Sequence, residues 1–136
     1  MRIVVVEDEA PIREGMAKLL SKINPEYELV GKAADGEAGY QLIRELNPDL
    51  VIMDIRMPKM DGIAMMKKLR EENIKCKAII LSAYSEFQYA QKAIELKADS
   101  YLLKPIKIPE LKSALKQAER EISEDQGTEQ IFSVEN

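Results

Sequence analysis

Short apolar runs recur along the chain, and each is followed by a polar or turn-forming residue. The runs lie at residues 2–6, 27–34, 50–53, 77–81 and 99–103. Runs of this length, rich in Val, Ile and Leu, are typical of strands buried on both faces of a parallel sheet. The second run is interrupted by Gly31 and Lys32, so we expect it at an edge of the sheet.

Apolar residues between these runs recur every three or four positions, which predicts amphipathic helices. The predicted helices cover about 11–23, 37–46, 63–72, 86–96 and 108–122. Ser85 is the expected N-cap of the fourth helix, and Ala93 and Ile94 are expected on its inner face. Strict alternation of strand and helix predicts an α/β domain, a doubly wound parallel sheet with helices on both faces.

Composition limits the kind of protein. A chain of 136 residues with 46% hydrophobic residues suits one domain, which we place at residues 1–122. Residues 123–136 carry too little apolar material to pack, and we expect a linker or a disordered tail. A net charge of −4 argues against nucleic-acid binding by this segment. The single cysteine, Cys76, and the absence of a long apolar run favour a cytoplasmic protein without membrane spans.

Polar groups follow four of the predicted strands: Glu7 and Asp8, Asp54, Ser82, and Lys104. Since the carboxyl ends of parallel strands meet at one edge of a sheet, these side chains should converge. Carboxylates held together favour a cation, and because the chain has no His the oxygen ligands favour Mg²⁺. Mg²⁺, a lysine and a hydroxyl beside a carboxylate nucleophile are the groups that phosphoryl transfer needs.

Each of these residues also has a simpler interpretation. Glu7, Asp8 and Glu9 could cap the following helix, and for Glu9 this is the preferred interpretation. Ser82 could be a buried hydroxyl bonded to the backbone, and Lys104 could be a surface lysine beside a turn proline. Four suitable groups that end four separate strands are hard to assign to chance.

Together these motifs resemble the receiver domain of two-component response regulators. The matching segments are Val5-Val6-Glu7-Asp8-Glu9, Asp54 with Met57-Pro58 and Asp61-Gly62, Leu81-Ser82-Ala83, and Tyr101-Leu102-Leu103-Lys104-Pro105. The resemblance covers residues 1–122 and implies a flavodoxin-like fold with strand order 2-1-3-4-5. It also implies that Asp54 is the phosphoacceptor, and that Mg²⁺ is held by Asp8, Asp54 and the backbone carbonyl of Arg56, with Glu7 bound directly or through water.

The resemblance assigns further roles near the phosphoryl group. Lys104 would pair with the phosphoryl group, while the Ser82 hydroxyl and the Ala83 amide would bind its oxygens. Tyr101 stands at the aromatic switch position, although on its own it would be read as a core or surface aromatic. The Lys104-Pro105 bond is expected to be cis, which proline makes accessible.

Two positions depart from the family pattern. Glu7 stands where many members have Asp, which implies a slightly longer reach to the metal. Lys97 stands where the family usually has Gly. If this position ends a helix with positive φ, the lysine is strained; otherwise the turn differs locally.

The resemblance implies a switch rather than an enzyme, with only self-phosphorylation and slow self-dephosphorylation at Asp54. A sensor histidine kinase would donate the phosphoryl group. The fourth helix, fifth strand and fifth helix would then form a homodimer or contact an output domain. The candidate surface residues are Tyr84, Phe87, Tyr89 and Leu115, although any of them could belong to the core. The segment around Leu81 to Ala90 is most similar to regulators with an AraC-type DNA-binding domain, which is absent from this chain.

Two other functions fit an α/β sheet with acidic strand ends. A flavin-binding module needs a hydroxyl-rich or glycine-rich phosphate loop after the first strand, where Glu7 and its acidic neighbours would repel a phosphate. A Mg²⁺-dependent phosphatase with an aspartyl nucleophile generally needs a second acid two residues after the nucleophile, where this chain has Arg56.

Overall fold

The computed structural model describes residues 1–83 and 87–135, with side chains for all of these except Phe87, Tyr89 and residues 126–135. Within this part of the chain, five strands alternate with five helices. The strands are β1 (Arg2–Val6), β2 (Glu28–Ala33), β3 (Leu50–Asp54), β4 (Lys77–Ser82) and β5 (Ser100–Leu103). The helices are α1 (Ala10–Ile23), α2 (Gly36–Leu46), α3 (Gly62–Glu71), α4 (Phe87–Glu95) and α5 (Ile108–Glu135).

The strands form one parallel sheet in the order β2-β1-β3-β4-β5. This confirms the predicted doubly wound topology and the edge position of β2. Each chain segment returns through a helix before pairing in parallel, as parallel strands require. Along β3, the register places Asp54 beside Leu81 of β4.

Alternate residues of the strands face opposite layers of helices. On one face, Val4 and Val51 pack with residues of α2, α3 and α4. On the other face, Val5 and Ile52 pack with residues of α1 and α5. The central strands are therefore buried on both sides, which explains why they are continuous apolar runs in the sequence.

Helix α4 ends in the left-handed conformation at Lys97, whose φ is 60°. The Lys97 N–H donates to the carbonyl of Ile94 at 3.0 Å, and the Ala98 N–H donates to the carbonyl of Ala93 at 2.9 Å. These two bonds are the Schellman pattern, in which glycine is the usual residue at the left-handed position. The strained alternative for Lys97 is thus the one that the fold adopts.

Helices α4 and α5 differ from the predicted pattern. Helix α5 continues to Glu135, past the predicted end at residue 122, so the division between domain and tail at that point stays a prediction. Ala93 and Ile94 were both expected on the inner face of α4; Ala93 is buried in the core, which confirms its prediction, but Ile94 is 76% exposed, so its prediction is wrong. The predicted cap Ser85 and the surface candidate Tyr84 lie outside the described residues.

Leu115 of α5 was left open as a surface candidate or a core residue, and its full burial assigns it to the core. The side chains of the other two candidates, Phe87 and Tyr89, lie outside the described set. None of the described helices combines the length and the apolar character that a bilayer-spanning segment needs.

Candidate functional site

The predicted convergence of strand ends is observed at the carboxyl edge of the sheet. Glu7 follows β1, Asp54 is the last residue of β3, Ser82 is the last residue of β4, and Lys104 follows β5. The parallel register aligns these ends, so short connections bring side chains from separate strands into one shallow crevice. Ligands of open α/β sheets bind in such crevices.

Three carboxylates form the acidic part of the site. Glu7, Asp8 and Asp54 each place a carboxylate oxygen within 4.8 Å of the others. The Glu7 side chain is 5% exposed and that of Asp54 12% exposed, whereas Asp8 is exposed to solvent, so the cluster joins two largely buried carboxylates to one at the surface. Carboxylate oxygens without His or Cys fit a hard cation that retains waters, so this donor set suits Mg²⁺.

Lys104 bridges two of these acids. Its Nζ donates to Glu7 Oε1 at 2.9 Å and to Asp54 Oδ2 at 2.8 Å. Burial raises the pKa of Glu7, although the bond from Lys104 acts in the opposite direction. Burial alone would lower the pKa of Lys104, but the two carboxylates outweigh it and raise that pKa. The lysine is therefore a fixed positive charge directly beside Asp54.

Hydrogen bonds fix both the backbone and the side chain of Glu7. Its N–H donates to the carbonyl of Ala33 at 2.9 Å, and its carbonyl accepts a bond from Arg13 Nη1 at 2.7 Å. Its second carboxylate oxygen, Oε2, accepts from the Glu9 N–H at 3.2 Å. Glu9 occupies the N-cap position of α1 as expected, but its side chain makes no capping bond. Arg13 was not predicted, because nothing in its local sequence distinguishes it from other polar residues of the helix.

The loop after β3 is closed against Asp54. Asp54 Oδ1 accepts from the Ile55 N–H at 2.7 Å, and the Gly62 N–H donates to the Ile55 carbonyl at 2.6 Å. A Cβ on Gly62 would lie 2.3 Å from the Asp54 carbonyl oxygen, so only glycine permits this approach. Arg56, whose carbonyl is a predicted metal ligand, lies within this closed loop.

The remaining predicted residues lie at the end of β4, on β5 and directly after β5. Ser82 is fully buried at the end of β4, and Ala83 follows it in an exposed bend. Tyr101 of β5 is half-buried and packs against the same core cluster as α4. The Lys104-Pro105 peptide bond is cis, as expected.

Comparison with known proteins agrees with this geometry. Residues 3–116 match the family model of the response regulator receiver domain. The nitrate/nitrite response regulator protein NarL of Escherichia coli K12 is 34% identical over 116 residues, which are 85% of this chain and 53% of NarL. The transcriptional regulatory protein PdtaR of Mycobacterium tuberculosis H37Rv is 37% identical over 117 residues, covering 86% of this chain and 56% of PdtaR.

Among solved structures, the REC domain of AraT, a response regulator from Geobacillus stearothermophilus, superposes with a TM-score of 0.81 at 35% identity. That match covers 92% of this chain and 97% of the other. The chain spans about half the length of the two curated relatives. Neither the flavin-binding nor the phosphatase alternative is favoured by these matches. With the family model matching most of the chain, the protein belongs to the receiver domains of two-component response regulators.

Proposed function

We propose that Asp54 accepts a phosphoryl group from a phosphorylated histidine of a sensor histidine kinase. The observation that carries this proposal is the position of Asp54, which is bonded to Lys104 at 2.8 Å inside a cluster of three carboxylates. An Asp54 carboxylate oxygen attacks phosphorus, the P–O bond forms, and the P–N bond of the donor breaks. Lys104 is already placed to balance negative charge on the transferred oxygens.

We propose Mg²⁺ as the cofactor of this transfer, held by Glu7, Asp8, Asp54 and the backbone carbonyl of Arg56. When bound, the ion would neutralise and orient phosphoryl oxygens. The hydroxyl of Ser82 and the amide of Ala83 would bind the oxygens on the opposite side of the phosphoryl group. Self-phosphorylation from small phosphodonors and slow self-dephosphorylation belong to this same proposal.

The proposed output is a change on the face formed by α4, β5 and α5, coupled to Ser82 and Tyr101. Exposed apolar side chains support an interaction surface there: Ile94 is 76%, Leu103 45% and Ile108 47% exposed. Removing such side chains from water favours association. We propose that this face forms a homodimer or contacts an output domain, and that DNA is bound only through such a domain, with the AraC type as the expected one. We propose a reducing cytoplasm as the location, because the single cysteine is free and cannot form an internal disulfide.

The test is intact mass spectrometry after incubation with acetyl phosphate, with and without Mg²⁺. The native chain should gain one phosphoryl group only when Mg²⁺ is present, and Asp54→Ala should gain none. Glu9→Gln is the matched control, because it removes a neighbouring carboxylate that lies outside the three-carboxylate cluster. An adduct that persists in Asp54→Ala, or its absence from the native chain, would count against the proposal.

A further inference from the structure

The first turn of α2 lies in direct contact with the loop between β3 and α3. A Cβ built on Gly36 would lie 2.0 Å from the backbone carbonyl oxygen of Met60. Carbon and oxygen atoms in van der Waals contact stand more than 3 Å apart, so any residue other than glycine must displace backbone at this point. Beside this contact, Lys59 and Asp35 form a long ion pair at 3.9 Å.

Packing against β1 and the core prevents helix α2 from moving away from the loop. One turn further along, a Cβ on Gly39 would meet the two γ-methyl groups of Val6 at 2.9 Å, so the helix already lies against β1 as closely as it can. Tyr40 and Ile43 of the same helix are buried in the core. Since close-packed interiors transmit strain rather than absorb it, a clash at Gly36 should move the loop.

The loop that would move connects Asp54 to α3. It begins with the closed turn around Ile55 and continues through Arg56 to Met60, where it meets Gly36. Lys59, near the tip, has a positive φ of 67° and a 66% exposed side chain, so this part of the loop has fewer packing restraints than α2 has.

We propose that Gly36 is a positioning residue for the phosphoacceptor site. Through its contact with the loop, the N-terminus of α2 fixes the position of the Arg56 carbonyl relative to the Asp54 carboxylate. This inference rests on the proposed function, since the Arg56 carbonyl is the predicted metal ligand. Gly36 touches neither cation nor phosphoryl group and acts only through the Met60 backbone.

The experiment compares Gly36→Ala with Gly15→Ala. Both place a methyl group on a helix glycine, but a Cβ on Gly15 meets nothing within 4 Å. Amide NMR spectra verify that each variant is folded and, during titration with Mg²⁺ alone, give the dissociation constant without any activity measurement. Gly36→Ala should weaken Mg²⁺ binding about tenfold or more, as loss of support for a ligand commonly does. Gly15→Ala should match the native protein.

The pattern of shifted amides identifies which element moves. In the absence of cation, the proposal expects the amide signals of Arg56, Met57, Lys59 and Met60 to shift in Gly36→Ala, with the signals of Tyr40 and Ile43 nearly unchanged. Native Mg²⁺ affinity in folded Gly36→Ala, or shifts confined to α2, overturns it. If the native chain neither binds Mg²⁺ nor gains a phosphoryl group, the proposed function itself fails. If the native chain binds Mg²⁺ and Gly36→Ala binds it equally well, only the role of Gly36 is refuted.

Asp35→Ala provides a second, milder variant if Gly36→Ala does not fold. The Asp35 carboxylate accepts the Ala38 N–H at 2.8 Å and pairs with Lys59 of the loop at 3.9 Å, so its removal loosens both the first turn of α2 and its contact with the loop without adding bulk. Weaker Mg²⁺ binding in this folded variant, with Gly15→Ala unchanged, supports the proposal. Unchanged binding contradicts it.

Discussion

Lys97 offers a test of local strain in the fold. It occupies the left-handed position after α4 with φ of 60°, and its side chain is exposed. The turn is held by backbone bonds rather than by the lysine side chain, so Lys97→Gly keeps the bonds and removes the unfavourable Cβ contact. We expect the substitution to stabilise the domain.

The magnitude follows from two opposing effects. A left-handed conformation costs an L-residue about 1–2 kcal/mol. Glycine loses more backbone freedom on folding, which offsets about 0.5–1 kcal/mol of that gain. The free energy of unfolding should therefore rise by about 0.5–1 kcal/mol, and the melting temperature of a chain of this size by about 2–4 °C.

Urea denaturation followed by far-ultraviolet circular dichroism measures this change. Lys97→Ala is the first control, because it removes the side chain but keeps the Cβ, and we expect little change. Asn73→Gly is the second control: Asn73 ends α3 with the same φ of 60°, and asparagine tolerates this conformation better than lysine. Its gain should be the smaller of the two.

Equal stabilities of Lys97→Gly and Lys97→Ala would refute the reasoning, since the Cβ would then not be the source of strain. A lower midpoint for Lys97→Gly at an unchanged denaturant slope would do the same. A changed slope would instead indicate an altered denatured state.

Arg70→Met removes a guanidinium that donates to the carbonyls of Leu96, Ile74 and Cys76 at 3.1, 2.7 and 2.9 Å, beyond the ends of α4 and α3. Urea denaturation should show that the free energy of unfolding falls by about 2 kcal/mol, and an unchanged value would contradict a stabilising role for these bonds. Burial, with the bond donated to Glu119, raises the pKa of Tyr27 to about 12 from 10.0. Its contribution to stability is thus present below pH 10.0 and lost as pH rises towards 12, and the ultraviolet titration of Tyr27→Phe should lack an ionisation near pH 12. Lys104→Met should tighten Mg²⁺ binding in calorimetry because the ammonium no longer competes for the carboxylates, whereas the exposed control Lys107→Met should not; equal affinities would refute this competition.

The strands were predictable because each central strand is buried on both faces and ends at a polar residue. The bounds of β1 and β3 agree with the apolar runs, since Glu7 and Asp54 end them abruptly. The inner face of α4 was harder, because Ala93 and Ile94 are adjacent and their apolar character alone does not tell which one faces the core. The larger residue is the exposed one.

The end of α5 could not be found from hydrophobic periodicity, which stops near residue 122. The helix continues into a polar segment, where Glu121 and Asp125 form ion pairs with Lys77 at 3.6 and 3.4 Å. These partners are distant in sequence, so no local pattern reveals them. Hydrophobic periodicity reveals only the part of a helix that packs on the core, and it does not reveal helical turns that are stabilised by ion pairs.

The types of residues at the site were predictable, but their connections were not. Strand ends brought Glu7, Asp54, Ser82 and Lys104 to one edge, as the α/β alternation predicted. Lys104 bonds to both Glu7 and Asp54, and Gly36 contacts Met60. Both arrangements depend on tertiary packing, which the spacing of residues in the sequence does not reveal. The individual roles assigned by family resemblance remain predictions for the experiments above.

The charges at the strand ends have a consequence for the order of events. Three carboxylates and one ammonium give Glu7, Asp8, Asp54 and Lys104 together a net charge of −2 when all four are ionised. A phosphoryl donor is itself anionic, so the resting crevice repels the group that it is proposed to accept. A divalent cation cancels this excess. If Asp54 is the acceptor as proposed, cation binding should therefore precede the productive approach of the donor, and the cation-free domain should react slowly with phosphodonors.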